Sequence, residues 1–194
     1  MKQTVRMLPL LSLVLFFAAG LVFGILSPDF SHLRHPVALL GASDEPNALA
    51  FNVLVFIVPG LLLAWQAWRL RSSGDQAGWR TRIGLQLALL SALMFAAQGV
   101  LPLDPTNLLA PASRLHALAW TLWWVASVPA ALLLALSREY DSAIGIGFAA
   151  LVPALVLFGA LLMPAPVAQR VAFASWFAWW LLAFRRAGRP SGTA

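Results

Sequence analysis

The chain has 194 residues, 61% of them hydrophobic and 10% charged, too few charges to cover a soluble domain of this size. Cysteine is absent, which excludes a disulfide framework, a thiol nucleophile and a Cys-ligated metal site. The net charge of +6 would suit nucleic acid, but the basic residues flank apolar segments instead of forming a patch, so the chain reads as no nucleic-acid binder.

Six apolar stretches follow one another, at residues 7–26, 48–68, 83–101, 115–136, 144–163 and 167–184. Each is close to the roughly 20 helical residues that a hydrocarbon core about 30 Å thick requires. The pattern predicts a single all-α domain over 1–194, a polytopic bundle of six transmembrane helices. The first stretch also invites comparison with a cleaved signal peptide. Its apolar core is longer than the roughly 7–15 residues of such a leader, and no small-x-small site with a soluble domain behind it follows.

Lys and Arg set the orientation. Lys2, Arg6, Arg69, Arg71, Arg80, Arg82, Arg138, Arg185, Arg186 and Arg189 fall on one side, and Arg34, Arg114 and Arg170 on the other. The positive-inside rule places both termini in the cytoplasm, and the composition suits a bacterial inner (plasma) membrane. Trp65, Trp68, Trp79, Trp179 and Trp180 lie near the cytoplasmic ends, where amphipathic rings prefer the interface. Trp120, Trp123 and Trp124 sit deeper and read as packing residues.

Within the spans, Pro59, Pro129 and Pro153 each remove a backbone donor and are expected to kink their helices. Gly20 and Gly24 form a G-x-x-x-G in the first span. Small residues at this spacing let helices approach, either within the chain or against a membrane-protein partner or second copy. Gly24-Ile-Leu-Ser-Pro-Asp29 closes the first span and Gly99-Val-Leu-Pro-Leu-Asp104 the third, a hint of a duplicated two-helix unit.

The non-cytoplasmic side carries all three histidines. The first outer loop, about residues 27–47, is long for so compact a chain, and long loops in compact folds are often functional. It holds Asp29, His32, Arg34, His35, Asp44 and Glu45 around an apolar middle at 36–41, which is expected to lie on or dip into the interface. The second outer loop carries Asp104 and leads through Arg114 to His116. With Asn52 and Gln98 from the outer halves of their helices, His35, Asp104, Arg114 and His116 are the candidate ligand-binding residues of one outward polar pocket. Ser43 or Asp44 is expected to cap the second span and Ser113 the fourth, placing His116 in a first helical turn that favours neutral imidazole. His32 reads as a bystander. Arg34, Arg114 and Arg170 read as contacts to lipid phosphates, or as a grip on a substrate anion.

At these residues the chain resembles the DUF998 family of small integral membrane proteins. The family pattern has a His-Pro-x-Ser-x-Leu-Gly-like loop after the first helix, matched by His35, Pro36, Leu40 and Gly41. A Gly-x-x-Pro-x-Asp ending follows at the third helix, matched by Gly99, Pro102 and Asp104, with a histidine at the start of the fourth, matched by His116. The chain departs at Ala38, where the family often has Ser. The resemblance implies the six-span fold and the outer site, and no reaction.

Two readings of function stay open. In the first, His35, Asp104 and His116 form a site for a divalent metal such as zinc, with an open water position, or for a small or lipidic ligand. In the second, the protein is a non-catalytic accessory or lipid-organising module whose outer polar residues are caps and headgroup contacts. A haem reading lacks histidines facing each other deep in the bundle. A transport reading lacks ionisable residues near the midplane.

Overall fold

The computed structural model describes residues 2–72, 77–137 and 140–184. Of the ten cations assigned to one side, Arg138, Arg185, Arg186 and Arg189 lie outside these residues. The described chain is all-helical. The long helices are α1 (Lys2–Leu26), α2 (Ala48–Ser72), α3 (Trp79–Val100), α4 (Pro111–Ala135), α5 (Ser142–Phe158, extended by a 3-10 turn to Leu161) and α6 (Ala165–Ala183). Among the described residues, five helices, α1 to α5, are long and apolar enough to cross a membrane. The sixth carries Gln169, Arg170, Ser175 and three tryptophans, which lower its hydropathy although it sits at the centre of the packing.

Consecutive helices pack against one another and α6 returns to α1, so the bundle closes on itself. Inside a membrane, lipid tails are as apolar as leucine, so helices associate through close packing instead of through water exclusion. Small residues permit that approach. A Cβ on Gly60 of α2 would come within 2.7 Å of the Ala96 nitrogen and 2.8 Å of the Ala92 oxygen on α3. The interior is aromatic. Phe173, Trp176, Phe177, Trp179 and Trp180 of α6 are all at most 1% exposed. Their rings meet Phe16 of α1, Phe56 of α2, Phe95 of α3 and Trp123 of α4 at centroid distances of 4.7–6.3 Å. These rings meet tilted or edge-on instead of face to face, as the aromatic quadrupole favours.

Trp123 is fully buried and Trp120 and Trp124 pack on the core, in keeping with their reading as packing residues. Trp65, Trp68 and Trp79 are exposed. Trp179 and Trp180 are core residues instead of interface rings, because α6 turns them into the bundle to meet Phe148 and Phe184. The prolines act unequally. In α2 the turn Val53–Ile57 widens to a π-helix, with the Val58 N–H donating to the Val53 carbonyl. Pro59, just beyond, has no N–H and its ring presses on the carbonyl four residues back, which opens that turn. Helices α4 and α5 run through Pro129 and Pro153.

The segment between α1 and α2 folds back over one end of the bundle. Its apolar middle forms a 3-10 turn, Val37–Gly41, with Val37, Ala38, Leu40 and Gly41 buried. Ala38, the point of departure from the family pattern, therefore faces the interior. The Ser43 N–H donates to the Leu103 carbonyl at 3.0 Å, which ties this segment to the α3–α4 connection. The caps differ from expectation. Asn47 precedes α2 and makes no side-chain cap, because the chain between Ser43 and Asn47 turns once more before the helix begins. Ala110 precedes α4, and Ser113 lies inside the helix.

A candidate lipid-facing site at the loop end

Three side chains fasten the loop to the helices, and a fourth closes a turn within it. The Asn52 amide of α2 donates to the Gly41 carbonyl at 2.9 Å. The Val37 N–H donates to the Gln169 side-chain oxygen of α6 at 3.2 Å. One guanidinium nitrogen of Arg170, Nη1, donates to the His35 carbonyl at 3.0 Å and to the Pro166 carbonyl at 2.9 Å. The His35 ring closes its own turn, with Nδ1 accepting from the Ser31 N–H at 3.1 Å. Buried carbonyls and amides need partners, and adjacent residues of α6 supply two of them across more than 130 residues of sequence.

The α3–α4 connection is closed by the residues expected to carry chemistry. His116 is buried, and its Nδ1 lies 2.8 Å from the Leu101 carbonyl and 3.1 Å from the Gln98 carbonyl. Both partners are acceptors, so Nδ1 carries the hydrogen and donates. The ring thus satisfies carbonyls at the end of α3 that lack partners within the helix. The Asp104 carboxylate accepts from the Thr106 hydroxyl at 2.7 Å and from the Thr106 and Asn107 N–H groups at 3.0 Å. The Thr106 hydroxyl, opposed by slight desolvation and helped by the two N–H groups, holds this carboxyl below its usual range. Ser113 accepts from the Asp104 N–H at 3.1 Å.

The three residues of the expected zinc site are held by other contacts: His35 and Asp104 each close their own turn, and His116 bonds the carbonyls at the end of α3. Among the described residues no three His, Asp or Glu side chains are grouped so as to hold a metal. Of the residues of the expected polar pocket, Asn52 is buried on Gly41, Gln98 is 1% exposed with no partner for its side-chain nitrogen among the described residues, and Arg114 is exposed on α4. Of these candidates only His35 lines either of two cavities at this end.

The two cavities, of about 290 Å³ each, separate charge by sign. The first is an open cleft between Ser27–Phe30, His35, Leu39, Ala42, Asp44, Glu45 and Pro105, and carries the carboxylates of Asp29, Asp44 and Glu45. Asp29 and Asp104, equivalent in the sequence repeat, therefore differ: one lines a cleft and the other closes a turn. The second is an apolar groove on the flank of the bundle. Phe16, Phe17, Gly20 and Leu21 of α1 form one wall, Val37 and Leu40 the other, and His32 and Arg170 its polar end. A Cβ on Gly20 would meet nothing within 4 Å, whereas one on Gly24 would overlap the His32 ring. Gly24 of the G-x-x-x-G thus serves a contact within the chain, and Gly20 opens the groove.

His32 and Arg170 form one unit around Phe30. Arg170 Nη2 lies 3.4 Å from His32 Nδ1, and the guanidinium carbon sits 5.8 Å from the Phe30 ring centre. Phe30 meets the His32 ring edge-on at 5.1 Å. His32 Nε2 is buried without a partner among the described residues. Burial first, and the Arg170 charge second, hold the His32 imidazole below its ordinary value. His32, which reads as a bystander in sequence, is thus central here. The available signal was Arg170 itself, an arginine inside an apolar helix, which in a membrane is costly unless used.

An all-helical bundle with five membrane-length apolar helices and a lateral groove is the architecture of an integral membrane protein. A family described as "Protein of unknown function (DUF998)" matches residues 10–186, and the chain belongs to that family. No curated protein and no solved structure matches the chain.

Proposed function

We propose that the protein crosses the membrane six times with both termini in the cytoplasm, and that its opposite end takes an amphiphilic ligand sideways from the bilayer into the α1 groove. The observation that carries this reading is the pairing of an apolar channel with a polar head, Arg170 and His32, on the flank of α1. Among the five membrane-length apolar helices that helix is the least enclosed, with 28% of its apolar stretch buried against 50% for α3. A ligand arriving through the lipid phase meets no barrier at Gly20. Ligand sites are typically concave and apolar with few placed polar groups, and this groove has that form. The bacterial inner membrane is the setting that fits the charge asymmetry.

The test is photo-crosslinking in nanodiscs with a phospholipid bearing a diazirine on its acyl chain. Crosslinks concentrated on residues 16–21 and 37–40, and removed by Gly20→Trp, support the reading. Crosslinks spread evenly along the outer face of α1, at Val14 and Ile25 as much as at Phe17, and unchanged by Gly20→Trp, refute it. A second reading rests on the same open Gly20 face, which would admit a helix of a partner or second copy. Crosslinks from this face to protein instead of lipid would favour it.

A further inference from the structure

Among the described residues Arg170 is a cation without a counter-charge. Its three hydrogen-bond contacts are with neutral acceptors, the His35 and Pro166 carbonyls and His32 Nδ1. Among the described residues it forms no ion pair with a carboxylate, and the acidic side chains of this end are gathered in the other cleft. A guanidinium has five N–H donors in a rigid fork. Two on Nη1 go to carbonyls and one on Nη2 to His32, which leaves Nε–H and the second Nη2–H. These two adjacent donors match a phosphate or carboxylate bidentately. The fork is half-buried at the end of an apolar groove, where desolvation strengthens attraction for an anion and makes an unpaired charge costly.

On this geometry we infer that the groove selects an anionic phospholipid, whose phosphate is held by Arg170 while one acyl chain lies along Phe16, Gly20 and Leu40. The inference rests on the groove reading above and names its ligand class. The source is the membrane and not a free ion, because the fork stands at the end of an apolar wall that an acyl chain would cover. The head of the groove is preorganised, since His32, Phe30 and the two carbonyls fix the guanidinium before a ligand arrives. His32 is a positioning residue here, and its unpartnered Nε2 faces Gly24 and not the groove.

The experiment is native mass spectrometry of the full chain released from nanodiscs of phosphatidylcholine with a minority of phosphatidylglycerol. The readout is the ratio of the two lipids bound, relative to the bilayer. Wild type is expected to enrich phosphatidylglycerol about tenfold, or about 1.4 kcal/mol. Arg170→Gln should return the ratio to that of the bilayer while still retaining lipid. Arg170→Lys, which keeps the charge but not the fork, should fall between. Added inorganic phosphate should not compete, since it lacks the chain; displacement by phosphate alone would overturn the lipid assignment. Wild type bound to both lipids at the bilayer ratio overturns the headgroup inference and leaves the groove standing, a result that needs no variant to fold. Absence of any retained lipid, with no effect of Gly20→Trp, overturns both.

Discussion

Truncating Asn52 to alanine isolates one of the bonds that hold the loop to the bundle. The Asn52 amide donates at 2.9 Å to the carbonyl of Gly41, and both residues are buried. Without it the carbonyl loses its side-chain donor at a buried position, a loss of about 1–3 kcal/mol. At about 1.4 kcal/mol per tenfold, the loop should open roughly 5- to 150-fold more often. The place to read this is hydrogen exchange at Val37, Leu39 and Ala42. Their N–H groups donate to Gln169, Pro36 and Leu39 respectively, and are exposed only when the loop lifts. Amides in the middle of α3 serve as the internal reference and should not change, since local opening need not involve global unfolding. Gly41→Ala should act at the same place and more strongly, because its Cβ would press on the Asn52 amide and also meet the Phe51 ring at 2.8 Å. Exchange at 37–42 that is unaltered by Asn52→Ala, or altered equally in α3, would refute a loop fastened separately to its helices.

Three further outcomes follow from the same contacts. His116→Ala orphans the Gln98 and Leu101 carbonyls, so thermal unfolding in detergent should show a loss of about 1–3 kcal/mol; elemental analysis beside it should find no stoichiometric zinc in wild type, and zinc lost in the variant would restore the metal reading. His32 should titrate below 6.5 and move upward in Arg170→Gln, measured by NMR of the imidazole, because the arginine charge is one cause of the depression. The unfolded chain then binds this proton more readily than the folded one, so acidification through and below about 6.5 should loosen the loop, while pH above that value should have no effect through His32; a midpoint at or above 6.5 contradicts the contact. The chain has no cysteine, so single cysteines report topology cleanly: Ser43→Cys should react with an impermeant maleimide on intact cells and Ser72→Cys should not, and the reverse pattern would invert the orientation.

The spans were legible because their signal is local. A run of apolar residues near the bilayer thickness identifies α1 to α5 whatever surrounds them. Trp179 and Trp180 misled because a tryptophan near a span end suits an interface and a core equally, and only the facing Phe148 and Phe184 decide between them. The candidate site was less legible for the same reason. His116 looked like a ligand until the α3 carbonyls beside it were known, and Asp104 until its turn was. Arg170 and His32 are 138 residues apart, and nothing local to either predicts that Gly24, Phe30 and a loop carbonyl would bring them together. The charge asymmetry drew attention to this end of the bundle, but not to the flank of α1.

The central claim is that the α1 groove holds lipid. The most direct measurement is native mass spectrometry of the protein extracted gently from its own membrane, wild type beside Gly20→Trp, with circular dichroism confirming equal helicity. The account predicts one lipid adduct that survives collisional heating in wild type and is lost when the indole fills the groove. Identical adducts in both proteins, or none in wild type, would contradict it.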